Sequence, residues 1–225
     1  MLSFLLSLGL GFGAIGLDEL PVSQVQSIVN EVVEKLEPGM AIKPNVVVSN
    51  RKDPTPLGAI TYSSGRCVIV INPNPDAWAQ WGRFLNSDNK ANWNEIVAAS
   101  AAHEVGHCLK ESRQFVAQFN AQDPQHQGLS GSSAQLTGTH ESVFKQELFA
   151  DAVALIYARE FAGSQAEPVV DVMINSREKF SDNDPTHSTG AYLKVLKQMD
   201  VSRQANESMG QAASRLLNDV SSTAL

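Results

Sequence analysis

The sequence predicts an α+β fold, mostly helical, with a small sheet placed ahead of the helix that carries the chemistry. Three observations lead there. Apolar residues recur at helical spacing early in the chain and through most of its second half; short runs rich in β-branched residues lie together between residues 45 and 72; and His103-Glu104-Val105-Gly106-His107 falls in a helical pattern soon after them.

Residues 1–17 hold no charged side chain and are rich in Leu, Phe and Gly, after which Asp18-Glu19 opens a polar sequence. The stretch reads as a signal peptide or N-terminal apolar segment, with Ala14-Ile15-Gly16 supplying small residues for cleavage. It is shorter than the ~20 residues a membrane span needs, so anchoring at a membrane surface is the alternative to cleavage. Export, periplasmic or secreted, is the expected localisation. Residues 18–225 are expected to form one domain, because 225 residues at 43% hydrophobic content can bury a single core.

Val22, Val25, Ile28, Val32, Val33 and Leu36 mark an amphipathic helix that Pro38-Gly39 ends. Strands are expected at residues 45–49, 59–63 and 66–72, the last two joined as a hairpin around Ser63-Ser64-Gly65. Beyond Asn72-Pro73-Asn74-Pro75 a short helix is expected at 76–85, with Trp78 and Trp81 in the core, then a polar loop at 86–91. Asn92 with Glu95 three residues on has the form of an N-cap box for the next helix. One stripe of that helix, Trp93, Val97, Ala101, Val105 and Leu109, suits the core, while Ile96, Ser100, His103 and His107 face elsewhere. Residues 118–139, rich in Gln, Ser and Gly, are expected to be a surface loop or lid. Helices follow at 141–162, 169–180, 191–199 and 207–217.

A formal net charge of -7 and a pI near 5.2, with Lys and Arg scattered, argue against a nucleic-acid partner. Cys67 and Cys108 show neither zinc-knuckle nor CxxC spacing, and the expectation is two buried apolar fillers; one disulfide at most can form.

Residues four apart on a helix share a face about 6 Å apart along the axis, so His103 and His107 can present ring nitrogens to one ion. Glu104 then stands where a general base acts on a water at the ion's open position. A catalytic zinc needs a third protein ligand. Lys110 and Arg113 occupy the positions where a metzincin pattern would place a glycine and a third histidine, which excludes that pattern. His126, His140, Glu141, Glu147, Asp151 and His187 remain. Of these, Glu147 and Asp151 lie i, i+4 in a strong helical pattern, so Glu147 would ligate zinc and Asp151 would accept the free ring N–H of a ligand histidine.

With HExxH on one helix and ExxxD on the next, the chain resembles the gluzincin metallopeptidases. Its Ala150-Asp151 ending resembles most the CAAX-prenyl-endopeptidase and HtpX-like peptidase branch, over roughly residues 59–196. The resemblance implies a zincin-like fold, a zinc cofactor, hydrolysis of a protein or peptide substrate, and an edge strand, at 66–72 here, along which substrate lies as an added strand. Thr186-His187-Ser188 looks like the family's Thr-His-Pro element with serine for proline, so His187 would stabilise the oxyanion, with Tyr192 as its substitute. Lys194 is the nearest candidate for the basic residue that the family often has beyond that element. The best-known members span membranes many times, whereas this chain is similar to the short members. The contrasting expectation is a catalytically weak or inactive zincin-fold protein serving as a chaperone-like or structural binding module.

Overall fold

A computed structural model describes residues 21–36, 40, 42–50, 55–62, 64–85, 91–122, 140–180 and 184–223. Helix α1 (Val22–Leu36) buries Val25, Val32, Val33 and Leu36 of the expected stripe and Val29 besides, while Val22 and Ile28 are only partly buried. Strands β1 (Asn45–Val48), β2 (Leu57–Thr61) and β3 (Cys67–Ile71) form one sheet in the order β1-β3-β2, with β1 parallel and β2 antiparallel to β3. The β2–β3 hairpin closes where Tyr62 N–H donates to Arg66 O and Gly65 adopts φ 86, a conformation a side chain would oppose. One expectation is overturned here. The strand within 66–72 is the central one, because β1 comes back in parallel and occupies its other side; the edge next to the remaining helices is β2.

Helix α2 (Pro75–Leu85) leads to α3 (Trp93–Cys108), which carries the histidines. The Asn92 side chain caps α3 by accepting from Asn94 N–H, while Glu95 N–H turns to the Asn92 carbonyl. At Leu109 the backbone is extended, which ends α3 and drops the leucine into the core before α4 (Lys110–Gln122) begins. Helix thus reaches into the start of the stretch expected to be a loop. Its remainder, 123–139 with His126, and the apolar residues 1–17 lie outside the described residues.

Helix α5 (His140–Phe161) is the centre of the molecule, buried at every position from 147 to 158. A helix sealed on all sides needs no polar face, and its neighbours are α3, α4, α6 (Ala166–Glu178), α7 (Gly190–Gln198) and α8 (Met209–Thr223). Among the described residues no helix is long and apolar enough to cross a membrane.

Cys67 and Cys108 are not separate fillers. They are bonded to each other with Cα atoms 5.5 Å apart, which ties the start of β3 to the end of α3. The bridge spans 41 residues, a separation for which loop-closure entropy suggests about 4 kcal/mol of stabilisation.

Candidate metal centre

The site depends on how closely α3 approaches α5. A Cβ at Gly106 would lie 2.8 Å from the Ala150 Cα, so the contact tolerates nothing larger than glycine there. Gly106 lies between the two histidines and Ala150 between Glu147 and Asp151, so this contact brings the four polar side chains together. His103 Nε2 is 3.1 Å from His107 Nε2 and 3.3 Å from Glu147 Oε2, and His107 Nε2 is 3.4 Å from Glu147 Oε1. These three residues can hold a metal ion. Tetrahedral ligands at zinc bond lengths stand about 3.3 Å from one another, so the spacing suits a small ion at the centre of the triangle.

His103 Nδ1–H donates to Asp151 Oδ1 at 2.7 Å, which turns Nε2 toward the triangle. Asp151 is itself fully engaged: Arg177 Nη2 on α6 donates to the same oxygen at 2.7 Å, and the Thr189 hydroxyl ahead of α7 donates to the other. Arg177 Nη2 also lies 3.5 Å from Glu147 Oε2.

The electrostatics agree with the geometry. Burial works against the charge on Asp151, yet Arg177 and His103 hold its carboxyl well below the usual range. Burial likewise opposes ionisation of Glu147, but its hydrogen bond to His103 and the charges of His103, His107 and Arg177 bring it down to about 2. For His103 burial favours the neutral ring, and the Asp151 carboxylate overrides it, raising the ring to about 10. His107, buried beside a charged His103, is pushed down. A buried imidazole that holds its proton so tightly reports an excess of negative charge, which is where a cation is favoured.

Glu104 lines the same cavity as the triangle, next to His107. His187, in a 3-10 turn at Pro185–His187, anchors Nδ1 on Asp184 Oδ2 at 2.7 Å and holds Nε2 3.5 Å from Glu147 Oε2. Phe180 packs on its ring at 5.4 Å. The structure does not bring Tyr192 here: it is 38% exposed, packs on Phe144, and lines no part of the cavity. Lys194 pairs with Glu178 at the surface, and Glu141 with Lys145. His140 opens α5.

Arg177 and Thr189 were not among the expected site residues. Arg177 lies 26 residues beyond its partner on a separate helix, and only packing reveals it; Thr189, two residues after His187, had the nearer clue in the Thr-His-Ser element.

The triangle opens into a cavity of about 480 Å³, within the range of ligand sites. Its walls are α3, α5, the β2 edge, α2 and α6. Trp81 is one of its lining residues and only partly buried, whereas Trp78 is the core residue that both were expected to be. No protein-family model, curated protein or solved structure matches the chain.

Proposed function

We propose that the protein is a zinc-dependent metalloendopeptidase of the gluzincin type, with a zincin-like fold, that hydrolyses peptide bonds using water activated by Glu104. The observation that carries this reading is the triangle of His103, His107 and Glu147, with Asp151 orienting His103 from behind and Glu104 facing the cavity beside it. A zinc ion held there supplies Lewis acidity, polarising the scissile carbonyl and lowering the pKa of a water toward ~7.

The chain's own groups do the rest. Glu104 takes the proton from the attacking water and delivers it to the departing amine. His187, anchored through Nδ1 on Asp184, lines the cavity and donates a hydrogen bond from Nε2 to the oxyanion, a contribution commonly worth about 3 to 4 kcal/mol. Asp151, Arg177 and Thr189 keep the His103 ring from turning. Substrate in extended form would lie along β2, an outer strand of the sheet that lines the cavity, since β3 has both sides paired. The disulfide supports folding in an oxidising compartment, in keeping with export.

Metal analysis of purified protein should find one zinc per chain. An unfolded protein substrate should be cut by the zinc-loaded chain and left intact by Glu104→Gln, which keeps the three ligands. If Glu104→Gln retains zinc and cleaves as well as the native chain, the general-base reading is wrong. A zinc-loaded native chain that binds unfolded protein without cutting it would favour the non-catalytic binding module instead.

A further inference from the structure

The cavity has two chemically different ends. Helices α3 and α6 run side by side in the same direction: the Asn92 N–H ahead of α3 donates to Gln165 ahead of α6 at 2.8 Å, and farther along Arg177 reaches His103 at 3.1 Å. In chain order, α3 lines the cavity with Ile96 and Ala99 and then with His103 and Glu104, while α6 lines it with Val172 and Met173 and then with Arg177. All the charged and histidine side chains among the lining residues belong to the metal end. Ala99 lies one helical turn before His103, about 6 Å along the axis.

Exposure separates floor from walls. Ile96, Ala99 and Val172 are at most 3% exposed and form a sealed floor. Trp81 and Phe84 from α2 and Met173 from α6 are only partly buried, although each packs against the core. The two neighbouring tryptophans of α2 therefore serve different ends. Trp78 is 4% exposed with its indole N–H donated to the Asn72 carbonyl at 2.7 Å, and it holds the fold; Trp81 lines the cavity. Large apolar side chains left partly open in the same concave site as the metal-holding residues suit an apolar group of a ligand.

We propose that the apolar end, walled by Trp81, Phe84 and Met173, is the subsite that selects substrate by accepting a large aromatic or branched aliphatic side chain next to the bond to be cut. The inference rests on the peptidase reading above and supplies its substrate class. A charged side chain entering this end would lose its hydration among uncharged lining residues, and the ammonium of Lys179 beside Phe84 is already engaged by the Phe84 carbonyl. A small one would leave the walls partly wet, and discrimination by such a pocket falls at roughly 10- to 200-fold.

The test uses end-capped peptides of one sequence in which the residue on either side of the cleaved bond is Phe, Leu, Ala, Asp or Lys. Binding to zinc-loaded Glu104→Gln is measured by calorimetry, and kcat/KM is measured with the native chain. Phe and Leu peptides should bind Glu104→Gln at least about tenfold more tightly than Asp and Lys peptides. In the Glu104→Gln background, Trp81→Ala should lose that preference while keeping zinc and its affinity for the Ala peptide. Ala99→Phe, which fills the floor, should shift preference from Phe toward Ala. Equal binding of all five peptides, or an apolar preference that survives Trp81→Ala, overturns the proposal. If Ala99→Phe does not fold, Trp81→Ala at the partly open wall decides alone. Apolar-selective binding with no cleavage by the native chain would sink the peptidase reading and leave the subsite standing. Glu104-dependent cleavage without apolar preference would do the reverse.

Discussion

Two arginine–carboxylate clusters differ in burial in this molecule, the Arg203–Glu160 pair being about a third exposed and the Asp151 side chain 3%. Around Glu207, Arg215 donates through Nε and Nη2 to the two carboxylate oxygens at 2.9 and 3.0 Å, and Arg203 donates through Nε to Glu160 at 2.7 Å. Around Asp151, Arg177 donates at the same 2.7 Å. Contact lengths do not distinguish them; burial does. In the first cluster two guanidinium groups meet two carboxylates, with Arg203 and Glu160 each about a third exposed. In the second, one guanidinium faces Asp151, Glu147 and the nearby Glu104, and the Asp151 side chain is 3% exposed. The first cluster gives each guanidinium its own carboxylate, with Asp200 and Asp219 near enough to act on Arg215 as well. The buried one has negative charge to spare where water screens only weakly, and the raised pKa of His103 agrees with that surplus. Ion pairs of the same length can thus fasten a loop in one place and define a cation site in another.

The largest expected effect tests that contrast directly. Asp151→Ala leaves Arg177 buried without its main partner and His103 without its orienting acceptor. Chemical denaturation should show a loss of about 3 to 5 kcal/mol, and zinc competition should show affinity weakened by roughly 10- to 100-fold. A loss below 1 kcal/mol would put the buried cluster in the same class as the surface one.

Acidity and alkalinity should act on chelator-treated protein through the buried cluster. Glu147 is held below its ordinary 4.5 at about 2, so the unfolded chain binds the extra proton and stability is lost as pH falls through that interval. His103 is held above its ordinary 6.5 at about 10, so its contribution is complete below 6.5 and lost as pH rises toward 10. Stability without metal should therefore be greatest between about 4.5 and 6.5 and fall on both sides. Saturating zinc should remove the alkaline limb, because the ion takes the proton's place. An alkaline limb that persists unchanged with zinc would place that titration outside the site.

Gly106→Ala, which adds a methyl group where α3 meets Ala150, should cost about 1 to 3 kcal/mol and weaken zinc binding with no donor altered. Unchanged zinc affinity would show that the triangle tolerates a shift of α3. The smallest effect belongs to the surface: Arg215→Ala should cost no more than about 1 kcal/mol and leave zinc binding alone. Its Glu207 partner is held below the usual carboxylate range by the Arg215 hydrogen bond, so what stability the pair gives is present above that range and fades in acid.

The sequence by itself determined the three residues that could hold a metal ion and most of the helices. The i, i+4 spacing of His103 with His107 and of Glu147 with Asp151 is local geometry, so it could be read without knowing where either helix goes. The period of α1 and the hairpin signal at Gly65 are local in the same sense. Contacts between distant segments were decided only by tertiary structure. Strand order is one, since nothing within 45–72 says that β1 takes the far side of β3 and leaves β2 as the edge. The disulfide is another: it joins residues 41 apart that share no spacing rule. Arg177 is the third, a guanidinium with no motif around it that becomes part of the site because α6 lies along α3 and its charge has nowhere else to be satisfied.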